Sequence, residues 1–214
     1  MIIKNLKRRI LTSLFLLFFV FLIFKLNFVL IYTLLILSVF SILEFLNMSK
    51  SIFKNITYFV FNSFFIIFIS VFSLFFFLFS LGQLKIVLFI TLLGCIASDI
   101  GGFVFGNLFK GPKLTKISPK KTVSGAIGSF FSCCIVVISL VFYITKNFNF
   151  NIFFISIIIS FSCQLGDLFF SYLKRKAKIK DYSNLLPGHG GVIDRLDGIF
   201  LGVPIGLMAF LFLY

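Results

Sequence analysis

Long apolar segments alternate with short polar ones along almost the whole chain. Strict alternation of apolar and polar residues, which barrel strands show, is absent, and segments this long fit membrane-spanning helices. The pattern therefore predicts an all-α, polytopic helical membrane protein with about seven transmembrane helices. The seven predicted spans are 10–24, 26–43, 56–81, 86–108, 122–145, 152–173 and 198–214, and the third is long enough to contain a break near Asn62 or Ser70.

Composition supports a membrane protein and excludes other classes. The chain has 214 residues, 60% of them hydrophobic and only 12% charged, and its mean hydropathy is +1.17. A soluble globular domain and a disordered chain are both excluded by these values. The four cysteines lie inside apolar runs without CxxC spacing, so packing is their simplest role.

Basic residues indicate how the spans are oriented. With the N-terminus in the cytoplasm, all but three of the 20 Lys and Arg residues fall on the cytoplasmic side, as the positive-inside rule requires. A cleaved signal peptide is an alternative for the first segment, although no small-residue cleavage site follows it. The net charge of +14 is explained by this topology and by anionic lipid headgroups, so no nucleic-acid partner is expected.

Acidic residues separate a scaffold from a chemical region. Glu44 follows the second predicted span and is interpreted as an interfacial residue. We therefore predict scaffold helices in residues 1–83 and a catalytic region in 84–214, within one integrated membrane domain. The other five acids all fall in this second region, at Asp99, Asp167, Asp181, Asp194 and Asp197.

A first polar group joins the fourth predicted span to the loop after it. Ser98 and Asp99 precede Gly101 and Gly102, and the loop Ser118–Thr122 contains two lysines. Hydroxyls and lysines at the start of the next helix outline a phosphate site. The alternative is a packing face of small residues, with Asp99 paired to a lysine.

A second polar group precedes and opens the last predicted span. Asp194 and Asp197 are three residues apart, so in a helix they share one face and can bind a divalent cation such as Mg²⁺. Asp167 lies at the cytoplasmic end of the sixth span, within reach of that site. Helix capping explains one of these acids but not all. Three carboxylates among Lys, Arg and His indicate a metal-dependent site for a polyanionic phosphate substrate.

These motifs resemble a known family. The stretch Ser171–Asp197, with Pro187-Gly188-His189-Gly190-Gly191 and Asp194-Arg195-Leu196-Asp197, is similar to the signature of phosphatidate cytidylyltransferases, or CDP-diacylglycerol synthases. Ser98-Asp99-Ile100-Gly101 and Ser118-Pro119-Lys120-Lys121-Thr122 resemble the family's other block. The resemblance covers about half of the chain, roughly 92–197.

The chain departs from the family pattern at three points. Ser124 stands where the family often has a glutamate, and Asn107 where a basic residue is common. The part before both motif blocks is shorter than usual. We expect a trimmed scaffold with its active site kept.

The resemblance implies the reaction of CTP with phosphatidate to CDP-diacylglycerol and pyrophosphate. Asp167, Asp194 and Asp197 are expected to hold Mg²⁺, while a second cation is left open. The expected catalytic and phosphate-clamping residues also include Lys121 and Arg195. The residues expected to bind CTP or its phosphates are Ser98, Asp99, Ser118, Lys120, Thr122, His189, Gly190 and Gly191.

Other expectations concern the membrane and the rival functions. Lys174 and Arg175 are expected to reach lipid headgroups at the end of the sixth span. We expect an integral protein of a bacterial inner membrane, with its site facing the cytoplasm, and a homodimer is left open. The alternatives are a CDP-archaeol synthase, a polyprenol or phytol kinase, and a cation-coupled transporter.

Overall fold

Six long helices make up the part of the chain that the structure describes. The structure, a computed structural model, describes residue 22 and residues 25–82, 84–115, 117–119, 121–183, 185 and 190–214. All six helices in these ranges are long and apolar enough to cross a membrane. The protein is therefore an all-helical integral membrane protein, as predicted. The helices are α1 (Asn27–Ile52), α2 (Asn55–Phe79), α3 (Leu84–Phe109), α4 (Val123–Thr145), α5 (Asn151–Lys176) and α6 (Ile193–Leu213).

The helices correspond to six of the seven predicted spans. The first predicted span, 10–24, lies outside the described residues except at position 22. The largest difference is in α1, which continues past Glu44 to Ile52. The Glu44 carboxylate is therefore not at the end of a span but buried and hydrogen-bonded inside the protein. The break considered for the third span is absent, because α2 is one continuous helix through Asn62 and Ser70. Each of these side chains donates to a carbonyl of its own helix, at 2.8 Å.

Small residues allow the helices of the second half to pack closely. A Cβ atom on Gly101 of α3 would lie 2.6 Å from the carbonyl oxygen of Gly128 on α4. Between α5 and α6, a Cβ atom on Gly166 would lie 2.5 Å from the carbonyl oxygen of Asp197. Only glycine permits these approaches. The pairs α3–α4 and α5–α6 therefore pack by close backbone contact, as small residues allow in membrane proteins.

Phenylalanine rings join the first two helices to this half. Phe45 of α1 stacks on Phe65 of α2 with ring centroids 3.7 Å apart. Phe65 meets the edge of Phe170 of α5 at 6.4 Å, and Phe170 lies 5.6 Å from Phe200 of α6. All four rings are buried, so α1 and α2 share one core with the helices that carry the acids.

The polar loops collect at one end of the bundle. Because successive spans alternate in direction, the connections 53–54, 110–122 and 177–192 share an end. At the opposite end, the side-chain amide of Asn151 donates to the carbonyl oxygen of Leu213 at 2.7 Å, which joins the start of α5 to the end of α6. The polar end is where both predicted groups of site residues meet.

Candidate active site

The loop between α3 and α4 folds back on itself and fixes a lysine. Lys113 and Thr122 form an antiparallel bridge, and the Leu114 amide donates to the Lys121 carbonyl at 2.8 Å. The Thr122 hydroxyl accepts from the Gly125 amide at 3.1 Å and caps α4. Such a cap satisfies an otherwise unpaired N–H of the first turn. Lys121 is thereby held at the start of α4.

A cavity of about 320 Å³ opens beside this lysine, which is within the size range of small-molecule sites, roughly 300–1,000 Å³. It lies between α3, α4, α5 and the loop. Its polar lining residues are Asp99, Ser118, Lys121, Thr122, Ser129, Gln164 and Asp167. Five of these seven were predicted from the sequence, and Ser129 and Gln164 were not.

Lys121 and Asp167 form an ion pair in the wall of the cavity. The Lys121 ammonium contacts the Asp167 carboxylate, and the two side chains are 28% and 29% exposed. A phosphate in the cavity can therefore reach the lysine. The pair unites the two groups that the sequence presents separately, because Lys121 follows α3 and Asp167 lies on α5.

A second ion-pair cluster lies where α5 meets α6. The Lys174 ammonium is 2.8 Å from Oδ1 of Asp194 and 4.0 Å from Oδ2 of Asp197. The Lys174 side chain is only 12% exposed. The sequence predicts Lys174 at lipid headgroups, whereas here its ammonium faces the acids of α6. Lys174 is two helical turns beyond Asp167 on the same face of α5, so it points toward the acids.

Asp194 and Asp197 lie at the start of α6, as predicted, but they have different hydrogen-bond partners. Oδ2 of Asp194 accepts the amides of Tyr182 at 2.9 Å and of Gly191 at 3.0 Å. Both oxygens of Asp194 thus have protein partners. Asp197 accepts the Gly198 amide at 3.0 Å, and its other oxygen faces Lys174.

Asp99 connects the cluster at α6 with the cavity. A Cβ atom on Gly198, next to Asp197, would lie 3.8 Å from Oδ1 of Asp99. Asp99, Asp167 and Asp197 are also close enough to interact electrostatically. Asp99 forms no ion pair with a lysine among the described residues; the thiol of Cys163 donates to its Oδ1 at 3.6 Å instead.

Glu44 belongs to this end of the bundle and was misread from the sequence. It is 2% exposed, and its carboxylate accepts the amides of Val192 and Ile193, each at 2.9 Å, and the hydroxyl of Ser183. An acid within a span is itself a signal of a specific partner. The predicted span ended before Glu44, so the residue was assigned to the interface.

Three further residues differ from, or add to, the sequence-based set. Ser98 is buried and its hydroxyl contacts that of Ser160 at 2.9 Å, so it joins α3 to α5 and does not line the cavity. Gln164 donates to the Ala126 carbonyl at 3.3 Å and lines the cavity. Ser124 accepts the Gly111 amide at 3.2 Å and contacts the Thr122 hydroxyl at 3.0 Å, so it stabilises the loop.

The remaining predicted residues are placed only in part. Lys120 and His189 lie outside the described residues. Gly190 has a φ of +85°, which favours glycine, and the Gly191 amide is taken by Asp194. Arg195 and Arg175 are exposed, and Arg175 donates to the Ile179 carbonyl at 3.4 Å.

Tyr182 packs over the acidic cluster. Burial, followed by the nearby charges of Asp194, Asp197 and Glu44, raises the pKa of its phenol. The hydroxyl therefore stays protonated and donates to the Phe170 carbonyl at 3.3 Å. The ammonium of Lys174 lies 5.6 Å from the centre of its ring.

The oxygen donors of this region suit a hard divalent cation. Within the described ranges, no group of three or more His, Cys, Asp and Glu side chains is arranged to hold a metal ion. Asp194 and Asp197, however, already share one positive charge, the ammonium of Lys174. In the described part of the chain, Asp167, Asp194 and Asp197 are thus not gathered into one metal-binding group, and Lys174 supplies the charge between the two acids of α6.

Comparison with known proteins defines the class. The Cytidylyltransferase family model matches residues 6–213, so the chain belongs to that family. It is also similar to proteins named phosphatidate cytidylyltransferase. The relative from Rickettsia bellii is 46% identical over 127 residues, which are 54% of this chain and 54% of that protein.

Two further relatives carry the same name. The protein of the same name from Rickettsia felis is 43% identical over 126 residues, 54% of this chain and 56% of that protein. The one from Staphylococcus haemolyticus is 41% identical over 112 residues, 50% of this chain and 42% of that protein. The chain thus spans about half the length of the relatives it matches.

Proposed function

We propose that the protein transfers the cytidylyl group of CTP to phosphatidate, giving CDP-diacylglycerol and pyrophosphate. Membership of the Cytidylyltransferase family and the names of the relatives support this reaction. The observation that carries it is the cavity in which Lys121, Asp167 and Asp99 meet hydroxyls of the Ser118–Thr122 loop. A cavity that combines a lysine, two carboxylates and several hydroxyls at the polar end of a helical bundle suits a phosphate-bearing lipid and a nucleotide.

In this reaction an oxygen of the phosphatidate phosphate attacks the α-phosphorus of CTP. The bond between that phosphorus and the oxygen bridging to the β-phosphorus breaks, and pyrophosphate leaves. The lipid phosphate is already ionised near neutral pH, so the protein needs no nucleophile of its own. Its task is to hold two polyanions in line and to neutralise the charge between them.

Lys121 is the residue best placed to neutralise this charge. It is partly exposed at the cavity and its position is fixed by the start of α4. When a phosphate binds, the ammonium can exchange its contact with Asp167 for a contact with a phosphate oxygen. Lys120, Arg195 and His189 are proposed to add contacts from the two loops.

We further propose that Asp167, Asp194 and Asp197 hold Mg²⁺. The cation would supply charge neutralisation at the phosphates when bound. Binding by Asp194 and Asp197 requires that the Lys174 ammonium yields its place between them. The Lys174 ammonium would then be available as a second cationic contact for the phosphates.

The proposed setting is a bacterial inner membrane with the cavity facing the cytoplasm. The basic connections 110–122 and 177–192 lie at the same end as the cavity, which supports this orientation by the positive-inside rule. CTP is then available from the side on which it is made.

Radiolabelled CTP and phosphatidate in detergent micelles test the proposal, with and without Mg²⁺. We expect CDP-diacylglycerol that depends on the cation, selects CTP over other nucleotides and is lost in Asp197→Asn. If no CDP-diacylglycerol forms but label from CTP passes to a phosphorylated isoprenoid lipid or to an unsaturated archaetidic acid, the proposed class of reaction, cytidylyl transfer to a lipid phosphate, is right. The proposed acceptor lipid is then wrong. If no lipid accepts the label, the proposed transfer is wrong for this chain.

A further inference from the structure

The carboxylate of Glu44 binds the segment that leads into α6. It lies on α1, far away in the sequence, and it is 2% exposed. Oε1 accepts the Val192 amide and Oε2 accepts the Ile193 amide, both at 2.9 Å. The hydroxyl of Ser183 donates to Oε1 as well. Both oxygens are therefore committed to this one segment.

Gly191 lets the carboxylate approach. A Cβ atom on Gly191 would lie 2.8 Å from each Glu44 oxygen and 3.0 Å from the carboxyl carbon. Any side chain at this position would displace Glu44. This close contact with Glu44 explains why residue 191 is a glycine, and no left-handed backbone conformation is needed to explain it.

Three successive backbone amides at the start of α6 bind two carboxylates. Gly191 donates to Asp194 at 3.0 Å, while Val192 and Ile193 donate to Glu44. The first amides of a helix have no partner within it and favour an anion. Glu44 supplies that anion here, so the start of α6 is already occupied by a group of the protein.

From this arrangement we infer that Glu44 is a positioning residue for the proposed transferase reaction. It fixes the rotation and depth of the first turn of α6, and this turn carries Asp194 and Asp197 to Lys174. Glu44 does not line the cavity and touches no proposed substrate position. The inference rests on the proposed function, because it assigns Glu44 a task in that same site.

Glu44→Gln is the informative variant. Glutamine keeps the shape of the side chain but replaces one acceptor with an NH₂ group, which then faces the N–H of Val192 or Ile193. We expect kcat to fall about tenfold or more and the Mg²⁺ concentration for half-maximal rate to rise several-fold, with little change in the KM for CTP. Glu44→Asp, which keeps both acceptors, should recover part of the rate.

Asn62→Ala is the matched control for a loss of stability alone. Asn62 is 5% exposed on α2, and its side-chain oxygen accepts the hydroxyl of Ser49 on α1 at 2.8 Å. The variant weakens the packing of α1 without touching the segment before α6. It should lower Tm and leave the Mg²⁺ dependence unchanged.

Two measurements besides activity distinguish a failure of the Glu44 inference from a failure of the proposed function. Hydrogen exchange of peptides covering 190–197 should speed up in Glu44→Gln and in Gly191→Ala, but not in Asn62→Ala. Mn²⁺ binding, followed by electron paramagnetic resonance, should weaken in the same two variants. The inference is overturned if exchange is unchanged, or if it speeds up while kcat and the Mg²⁺ dependence stay at the wild-type values.

If the wild-type protein forms no CDP-diacylglycerol, the proposed function fails first. The exchange and Mn²⁺ data then decide about Glu44 separately. Faster exchange with weaker Mn²⁺ binding supports positioning of the acids, and faster exchange with unchanged or absent Mn²⁺ binding contradicts it.

Discussion

The ammonium of Lys174 lies 2.8 Å from Asp194 and reaches toward Asp197 at 4.0 Å, so one lysine of α5 serves both acids that open α6. The side chains are between 7% and 14% exposed. Removing the cationic partner of a buried carboxylate is far more costly than removing a surface ion pair.

Lys174→Met should therefore destabilise the protein by on the order of 3 kcal/mol and also abolish most of the activity. Thermal unfolding in detergent and the rate of product formation check the two effects. Arg175→Met is the control, because that neighbouring side chain is exposed. A Lys174 variant with normal Tm and only weaker binding to anionic lipid would restore the headgroup role first predicted for it.

Asp197→Asn and Asp194→Asn should behave differently although both acids face Lys174. Asp194 also accepts two loop amides, so its variant should lose both stability, by roughly 1–3 kcal/mol, and turnover. Asp197→Asn should keep its Tm within a few degrees while kcat falls about 10²–10³-fold. Paired Tm and kcat measurements test this, and equal losses of Tm would contradict the division of roles.

Gly166→Ala should disturb the contact between the two helices that carry the acids. A Cβ atom at this position would lie 2.5 Å from the carbonyl oxygen of Asp197. Overpacking of this kind costs about 1–3 kcal/mol, and it moves the start of α6 away from α5. We expect lower Tm together with lower kcat, whereas Leu165→Ala, at an exposed neighbouring position, should change neither much.

Ser124→Ala should loosen the loop that carries Lys121. It removes the acceptor of the Gly111 amide and the partner of the Thr122 hydroxyl, with a stability loss of about 1 kcal/mol. Because Lys121 is held by this loop, the KM for CTP should rise several-fold. Thr145→Ala removes a hydroxyl that bonds within the opposite end of the same helix and should leave KM unchanged.

The sequence predicts the spans well because hydropathy reports directly on the lipid-facing surface. It also brings out Asp99, Lys121, Asp167, Asp194 and Asp197, since an ionisable group near the membrane is costly without a partner. What it does not supply is the identity of the partner. Lys174 was assigned to lipid from its place at a helix end, while its actual direction depends on how α5 packs against α6.

Glu44 is a second residue whose partners the sequence does not identify. Besides the Ser183 hydroxyl, its partners are backbone amides of Val192 and Ile193, which leave no trace in side-chain chemistry. The signal that remains is an acid within an apolar helix together with a glycine pair before α6. Ser98 illustrates a related limit, because its hydroxyl, although next to Asp99 in the sequence, joins two helices and does not line the cavity.

The bond from Asn151 to Leu213 has a consequence for the geometry of the acids. Together with the Lys174–Asp194 pair it joins α5 and α6 at both ends, with Gly166 in backbone contact between them. Asp167, Asp194 and Asp197 therefore lie on two helices that cannot separate without breaking one of these contacts.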